Sequence, residues 1–409
     1  MNSAREFRTA AAGSAAVLCA LTLWASAPGY ASQVRATAGQ ARSAEEASTT
    51  ATAARAPAKA RTYKYSQSKV AFGGSRTEIA ATDSHGDVYE FWQTSGSKKW
   101  HKELVAGATR FVSYASPAIA WTGHALVIAV VNSKGSLETF TQQAGRSRWV
   151  PEVPLTGNIF QAPAMTVAAN GTLLISVSDK QGGLDVVEIP PSSSQSEFET
   201  TVSAGIFGAS SIVTCEEPGD SGELALITAT EAGTVYFWWQ HLGDSLWDAE
   251  TIASAGAPAT WSGASVAVSK NNVVVTAATT IGSIYAWSQA IGGTGWTEST
   301  VSPLGNGTYS RPQIAWTGAV SGGSSTADVI TAISKAGKLS YWWSYDGQNN
   351  WHAEKIAGNS RRAAYARPAI SVTGKKVIVT AINTKSGDVE YWYQKFLTNP
   401  WHNQLVAKG

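Results

Sequence analysis

The chain has 409 residues, 17 of them Trp, and only 15% of its residues are charged, against an average of about 25% in globular proteins. This composition excludes an intrinsically disordered chain. The 31 Lys and Arg residues nearly balance the 29 Asp and Glu residues, giving a formal net charge of +2, which excludes binding of nucleic acid through bulk charge, and two Cys residues are too few for a disulfide scaffold.

The N-terminus has the three parts of a secretory signal. Arg5 and Arg8 precede an apolar stretch over residues 10–24, and small residues follow as far as Ala31. We therefore predict a signal peptide over residues 1–31, cleaved after Ala31, and a secreted mature protein. A retained membrane anchor is the alternative, but the stretch is shorter than the ~20 apolar residues that cross a bilayer.

Residues 32–60 form a predicted Ala-rich linker. They contain no aromatic side chain and almost no large aliphatic one, so they cannot bury enough surface to offset chain entropy. The folded part is therefore expected over residues 61–409. Without the signal peptide the chain keeps a single cysteine, Cys215, which cannot form an intramolecular disulfide and which we expect to be buried as a small hydrophobic residue.

One unit recurs along the folded part. It begins with a glycine, continues through an aromatic strand and a polar turn, and ends on a second aromatic residue, as in GDVYEFWQTSGSKKW (86–100), GTVYFWWQHLGDSLW (233–247) and GKLSYWWSYDGQNNW (337–351). We call the last residue of each unit its closing aromatic. The seven closing aromatics are Trp100, Trp149, Phe198, Trp247, Trp296, Trp351 and Trp401. They are 49, 49, 49, 49, 55 and 50 residues apart, so the repeat is regular.

Each unit predicts four short antiparallel strands. An apolar pair of strands joined by a tight turn precedes each glycine, as in SPAIAWTGHALVIAVVNSKG (116–135), and the aromatic strand and a strand after the closing aromatic complete the unit. Four-stranded units of this length are typical of a β-propeller. We therefore predict an all-β, seven-bladed β-propeller of about 50 residues per blade. A tandem of β-sandwiches is the alternative, but it would need about 100 residues per domain and less regular turns.

The first strand of the ring is left open by the sequence. Residues 61–73 can supply the inner strand of the first blade or join the last blade.

Most of the aromatic residues are expected to be core. The fifth residue after each repeat glycine is large and apolar in six units, and the third unit has Val187 there. The six are Phe91, Phe140, Trp238, Trp287, Trp342 and Trp392. Stacked blades leave a wedge that widens toward the rim, and these rings are expected to fill it.

Residues with catalytic or metal-binding chemistry are present but scattered. His101, His352 and His402 each follow a closing Trp in a different unit, so they cannot converge on one metal ion. Four glutamates occupy the third position after a closing aromatic and are expected to be solvated or paired with Lys or Arg: Glu103, Glu152, Glu250 and Glu354. No phosphate loop, nucleophile elbow or paired-Cys motif is present, so we predict no catalytic residue, metal or cofactor.

Tyrosine and arginine pairs are the first candidates for ligand binding. Tyr114, Tyr309 and Tyr365 each lie three residues before a proline, and Arg311 and Arg367 directly precede that proline in the last two cases. An aromatic face beside a guanidinium suits a sugar ring, because the ring stacks on the aromatic and Arg donates hydrogen bonds to hydroxyls or a sugar carboxylate. The equal alternative is that each tyrosine packs against the proline and closes the blade junction.

Four outward aromatics are the second candidates. Trp239, Trp343, Trp92 and Tyr393 lie one position beyond the core aromatic of their strands and therefore point to the opposite face. Because the repeats differ most at such positions, we expect fewer than seven working sites, in the last two or three blades.

The pattern resembles the Trp-rich seven-bladed β-propeller lectins of bacteria. The blade sequence VYFWWQ…LWDAETIA is similar to the secreted actinobacterial type, including the lectin subunits of Streptomyces umbrella toxin particles. The resemblance covers residues 61–409 and is specific for architecture. It implies a targeting subunit that binds cell-surface glycans and docks to an adaptor protein of a toxin complex.

These observations favour a secreted, multivalent, carbohydrate-binding propeller without catalytic activity, which neither binds nucleic acid nor inserts into a membrane. A protein-interaction scaffold and a glycoside hydrolase are the rival hypotheses. The hydrolase would need acidic residues that converge on one point, and the repeats show no such cluster.

Overall fold

The computed structural model describes residues 64–409, apart from 74, 110–111, 157–159, 180–182, 192–197, 218–221, 257–259, 304–308, 319–325, 347, 359, 374–375 and 396–397. The predicted signal peptide and linker lie outside the described residues. The described part contains 28 strands and no helix. It therefore holds no helix of the length and hydrophobicity that a membrane span requires.

The strands form seven four-stranded antiparallel sheets, each contiguous in sequence. Blade 1 has β1 (Tyr65–Gly73), β2 (Arg76–Asp83), β3 (Val88–Thr94) and β4 (His101–Ala106); blade 2 has β5 (Tyr114–Trp121), β6 (Ala125–Asn132), β7 (Leu137–Gln143) and β8 (Val150–Leu155); blade 3 has β9 (Ala164–Val167), β10 (Leu173–Asp179), β11 (Gly183–Ile189) and β12 (Phe198–Ser203); blade 4 has β13 (Ser211–Glu216), β14 (Glu223–Glu231), β15 (Thr234–His241) and β16 (Asp248–Ala253); blade 5 has β17 (Trp261–Ser269), β18 (Asn272–Thr279), β19 (Ile284–Ala290) and β20 (Thr297–Ser302); blade 6 has β21 (Tyr309–Trp316), β22 (Ala327–Ser334), β23 (Leu339–Tyr345) and β24 (His352–Ala357); blade 7 has β25 (Tyr365–Thr373), β26 (Lys376–Asn383), β27 (Val389–Lys395) and β28 (Thr398–Ala407).

The blades close into a ring, which confirms the predicted seven-bladed propeller. The first strands contact one another in a complete cycle, β1–β5–β9–β13–β17–β21–β25–β1, and so surround the axis. Because β1 pairs with β2 of its own blade, the ring closes by packing of blade 7 on blade 1 without a shared strand. This settles the open question about the first strand in favour of blade 1.

A repeated hydrogen bond joins neighbouring blades at six of the seven junctions in the described part of the chain. The N–H of the aromatic residue at or just before the start of a first strand donates to the carbonyl of the preceding blade's repeat glycine, as in Tyr365 to Gly337 at 3.0 Å. The same bond joins Tyr65 to Gly387, Tyr114 to Gly86, Phe160 to Gly135, Trp261 to Gly233 and Tyr309 to Gly282, at 2.9–3.2 Å. The six glycines have φ between +78° and +95°, a conformation that residues with a Cβ rarely adopt.

The core aromatics lie where the repeat predicts them. All six are at most 5% exposed, and Val187 is fully buried. Each ring meets the opening aromatic of its own blade edge to face, with centroids 4.9 Å apart for Tyr309 and Trp342 and 5.1 Å apart for Tyr365 and Trp392. Such pairs stabilise a fold by about 0.5–1.5 kcal/mol each beyond the area they bury.

Cys215 is buried in the core between blades 4 and 5, as expected for a small hydrophobic residue. Burial, with smaller contributions from Glu223 and Glu217, raises the pKa of its thiol to about 12. The thiol is therefore protonated near neutral pH.

Candidate functional site

The propeller has two kinds of cavity. Four are interblade clefts, each formed by the third strand of one blade and the hairpin after the third strand of the next. Their volumes are about 260 Å³ between blades 2 and 3, 280 Å³ between blades 4 and 5, 190 Å³ between blades 5 and 6, and 370 Å³ between blades 7 and 1. The fifth is an axial cavity of about 290 Å³, enclosed mainly by the first strands.

A second interblade hydrogen bond is formed by closing tryptophans. The indole N–H of a closing Trp donates to the third residue after the closing aromatic of the preceding blade: Trp351 to Ser299 at 3.1 Å, Trp401 to Glu354 at 3.1 Å and Trp100 to Gln404 at 3.2 Å. Glu354, expected to be solvated or paired with Lys or Arg, is half-buried, and its carboxylate accepts an indole N–H.

Three junctions lack this bond: the buried indole N–H groups of Trp149, Trp247 and Trp296 have no hydrogen-bond partner among the described residues. Between blades 4 and 5, Trp296 holds the donor position and Glu250 the acceptor position. The half-buried Glu250 lines the cleft and likewise accepts no hydrogen bond from a described residue. Leaving a buried donor unpaired costs about 1–3 kcal/mol. Trp296 does not itself line the cleft, so Glu250 is the member of this pair that a ligand hydroxyl can reach.

Trp239 lies in the same cleft and lacks the cover that its counterparts have. Trp92, Trp343 and Tyr393 each stack on the histidine opposite in the outer strand, with centroids 5.2, 4.1 and 5.0 Å apart. The residue opposite Trp239 is Asp248, which has no ring. The half-buried indole packs on Phe237 at 5.6 Å and lines the cleft.

The remaining walls of this cleft are polar at one end. His241 Nε2 lies 3.6 Å from Glu217 Oε2, and the Gln289 amide donates to the Gly293 carbonyl at 3.1 Å. The hairpin comes close over this end, since a Cβ on Gly292 would lie 3.2 Å from Glu217 Oε1. The 4/5 cleft, as we call this site, thus combines an aromatic wall with carboxylate, imidazole and amide groups.

The predicted tyrosines are placed in the blades. Tyr309 and Tyr365 are 9% and 8% exposed, and Tyr114 is half-buried against Phe140 at 5.8 Å. The Tyr365 hydroxyl donates to Glu390 Oε2 at 3.3 Å. Burial, followed by the nearby Glu138, raises the pKa of Tyr114 to about 12. Ligand contact by these tyrosines stays a prediction, and their buried positions do not favour it.

The predicted arginines lie elsewhere. Arg311 and Arg367 are exposed side chains that line the axial cavity, while the tyrosines two residues before them are in the blade core. The Arg367 guanidinium donates to the Ser66 carbonyl at 2.8 Å. The structure therefore separates the two halves of each predicted pair. Trp343, a further candidate, is half-buried under His352.

The structure also locates residues that the sequence interpretation missed or set aside. From the sequence, Glu250 is expected to be solvated or paired with Lys or Arg and Trp296 to be a closing aromatic, and Glu217 and His241 have no predicted role. The signal available in the sequence was the break in the repeat at position 248, where three other blades have histidine after the closing Trp and blade 4 has Asp. The loss of a hydrogen bond between Trp296 and Glu250 depends on interblade geometry, which no repeat alignment shows.

Buried carboxylates occur outside these cavities. Glu78 and Glu90 lie side by side in blade 1, and burial together with the neighbouring Glu78 raises the pKa of Glu90 to about 9. Neither lines the axial cavity or any of the four interblade clefts. Within the described part of the chain, no group of three or more His, Cys, Asp or Glu residues is arranged to hold a metal ion.

Comparison with known proteins identifies the fold and no family. No protein-family model matches the chain, and no curated protein matches it. Among solved structures, the BP39L lectin from Burkholderia pseudomallei matches with a TM-score of 0.64 and 15% identity over 84% of this chain and 100% of that chain. An ulvan lyase of polysaccharide lyase family 25 matches with a TM-score of 0.56 and 10% identity over 82% of this chain and 94% of that chain.

A prolyl endopeptidase structure matches with a TM-score of 0.54 and 10% identity over 84% of this chain and 50% of that chain. Binding proteins and enzymes thus share this propeller, and at these identities the likeness extends to the fold alone.

Proposed function

We propose that the chain is a secreted, non-catalytic, multivalent lectin whose interblade clefts bind sugar residues of cell-surface glycans. The observation that carries the proposal is the 4/5 cleft, where Trp239 is uncovered and Glu250 accepts no hydrogen bond from a described residue. A structural neighbour of the same fold is itself a lectin, which supports the same function.

The groups in the 4/5 cleft match the chemistry of a pyranose. The apolar C–H face of the ring packs on the indole of Trp239, and the ring's hydroxyls donate to the Glu250 carboxylate. A cleft of about 280 Å³ accommodates one or two sugar residues, at the small end of ligand pockets. We propose that the three other interblade clefts, which lie at the same place between blades, add weaker sites through avidity on one rigid body.

The test is a glycan-array screen of residues 61–409, followed by titration of the best glycan. We expect Trp239→Ala and Glu250→Gln each to weaken binding about tenfold or more, which corresponds to about 1.4 kcal/mol. The matched control is Trp92→Ala, which removes the same residue type at the same blade position where His101 covers the ring, and it should leave binding unchanged.

Two results would contradict the proposal. Absence of binding to every glycan would point to a scaffold that binds protein partners. Full binding by the Trp239 and Glu250 variants would exclude the 4/5 cleft as the site.

The resemblance to umbrella-toxin lectins supports a finer proposal, that this lectin targets a toxin particle and docks to its adaptor protein. Size-exclusion chromatography of the native secreted material tests it. Elution with a partner chain in a much larger complex is expected, and elution as a monomer would contradict it.

A further inference from the structure

One ring of equivalent positions surrounds the axis. The position is the second residue after the aromatic that opens each first strand, and from blade 1 to blade 7 it holds Gln67, Ser116, Ala162, Ala209, Gly263, Arg311 and Arg367. All of these except Ser116, whose side chain is not described, line the axial cavity. Five of the seven are small or neutral, and the two arginines lie on adjacent blades. The ring is therefore strongly asymmetric in charge.

Both arginines are held in a strained backbone conformation. Arg311 has φ +47° and Arg367 has φ +54°, in the left-handed region that disfavours residues with a Cβ. Their counterpart in blade 5 is Gly263, which adopts φ +63° without that strain. A Cβ on Gly263 would lie only 2.8 Å from Arg311 Cα. Because Gly263 has no side chain, Arg311 can occupy that space. Glycine would serve the fold at all three positions, which points to a role for the guanidinium groups themselves.

A third cation completes the charged side of the cavity. Lys69 Nζ of blade 1 donates to Gln313 Oε1 of blade 6 at 3.1 Å, and so reaches past blade 7. Burial and the charge of Arg311 lower the pKa of Lys69 to about 8, and burial, followed by Arg311, also lowers the pKa of Arg367. Arg311 is therefore close enough to repel both Lys69 and Arg367.

No acidic side chain balances these charges. None of the residues that line the axial cavity is Asp or Glu, and none of the three cations forms a salt bridge with a described residue. The opposite side of the cavity is small and rich in hydroxyl groups, from Ser210, Ser211, Thr230 and Ser262 of blades 4 and 5. The cavity thus has one cationic wall and one neutral, hydroxyl-bearing wall.

We propose that the axial cavity binds one monosaccharide that carries a carboxylate, a sugar acid, with its carboxylate on Arg311 and Arg367 and its hydroxyls toward blades 4 and 5. The planar guanidinium matches a carboxylate in bidentate geometry, and the volume of about 290 Å³ suits a single sugar ring. The proposal rests on the proposed carbohydrate binding and adds a second ligand class at a single site per ring.

The test is calorimetric titration of residues 61–409 with galacturonate and, as the neutral match, with galactose. We expect galacturonate to bind at least tenfold more tightly than galactose. The double variant Arg311→Gly/Arg367→Gly should lose this preference while melting at the same or a higher temperature, because glycine relieves the backbone strain. The matched control Arg146→Ala/Arg148→Ala removes the same charge from the exposed hairpin of blade 2 and should keep galacturonate binding.

Four outcomes would overturn the inference. Failure of the wild-type protein to prefer galacturonate is the first, and galacturonate binding that survives the double glycine substitution is the second. A marked fall in melting temperature of that double variant would assign the arginines to the fold, for example through the Arg367 bond to Ser66. Inorganic phosphate binding as tightly as galacturonate would show a site for simple oxyanions in place of a sugar acid.

The experiment separates this inference from the proposed function. If a neutral glycan binds in a way that depends on Trp239 while galacturonate does not bind, only the axial site is contradicted. If galacturonate binds in a way that depends on the arginines while Trp239→Ala changes the binding of no glycan, only the 4/5 cleft is contradicted.

Discussion

The residue opposite the outward aromatic of the third strand decides whether that ring is covered. In blades 1, 6 and 7 a histidine stacks on it, and in blade 4 the position is Asp248, so Trp239 remains available. Glu250 lines the same cleft and accepts no hydrogen bond from a described residue. The candidate site is therefore a property of specific residues on a repetitive scaffold.

Buried carboxylates should make stability depend on pH. The pKa of Glu90 is raised to about 9, mainly by burial and then by Glu78, with Glu103 adding to the shift and Arg76 opposing it. In the unfolded chain a glutamate ionises near pH 4.3, so the folded state binds the extra proton between about pH 4.5 and 9. The free energy of unfolding therefore falls as pH rises through that window, because the unfolded state releases the proton first.

We expect Glu90→Gln to flatten this dependence. The variant should be more stable than the wild type at pH 7, by about 1–2 kcal/mol, and the two should converge near pH 4.5. Urea denaturation at pH 4.5, 6, 7 and 8 measures the free energy of unfolding of both proteins. The control is Glu152→Gln, because Glu152 is half-exposed. Equal pH slopes for wild type and Glu90→Gln would contradict the assignment.

At the scale of the element, the blade junction is built on the repeat glycine and the aromatic that opens the next blade. Gly337 has φ +78°, accepts the N–H of Tyr365 and lies so close to blade 7 that a Cβ would be 2.7 Å from Ala364 Cβ. Both the conformation and the contact require glycine.

Gly337→Ala should therefore destabilise the propeller by about 2–4 kcal/mol, from backbone strain together with the clash at the junction. Gly123→Ala is the matched control, because Gly123 has φ +90° with no atom within 4 Å of a Cβ, and it should cost only about 1 kcal/mol. Thermal or denaturant unfolding monitored by circular dichroism measures both. Similar losses in the two variants would show that the junction contact contributes nothing.

Sequence periodicity predicted this element well and the site only in part. The spacing of Gly337, Trp342 and Trp351 is enough to locate a strand, a core ring and a turn, because a propeller repeats the same local burial in every blade. It could not show that the side chains of Tyr309 and Arg311, which are two residues apart, lie in different parts of the propeller. The register of β21 shifts between Ser310 and Gln313, and this bulge directs the arginine to the axis while the tyrosine stays in the core.

Over the whole molecule, ring closure depends on packing and side-chain hydrogen bonds between blade 7 and blade 1. Gln404 accepts from both Gln93, at 3.0 Å, and Trp100, and a hydrophobic cluster spans the two blades. Since every blade is contiguous, no junction is closed by a shared strand. The sequence alone left this closure open because either pairing of residues 61–73 satisfies the same alternation of apolar residues.

A circular permutation tests this mode of closure. Residues 64 and 409 lie against the same glycine: a Cβ on Gly387 would be 2.6 Å from Lys64 Cα, and one on Gly409 would be 2.7 Å from Gly387 Cα. A short Gly-Ser linker can therefore join them, and new ends can be opened between blades 1 and 2, after Ala106. We expect the permutant to fold with a free energy of unfolding within about 2 kcal/mol of the starting protein, because the cut crosses no sheet.

The matched control opens the chain inside a blade, at the turn between β22 and β23. There the strands on either side of the cut pair with each other along their full length, so each loses the tight connection that fixes its register. We expect this second permutant to unfold at a clearly lower urea midpoint than the first. Its free energy of unfolding should therefore be lower as well. Equal stability of the two permutants would mean that the blade is not the cooperative unit of this ring. A first permutant that fails to fold would show that the 7/1 junction needs the continuity of the native ends in addition to its packing.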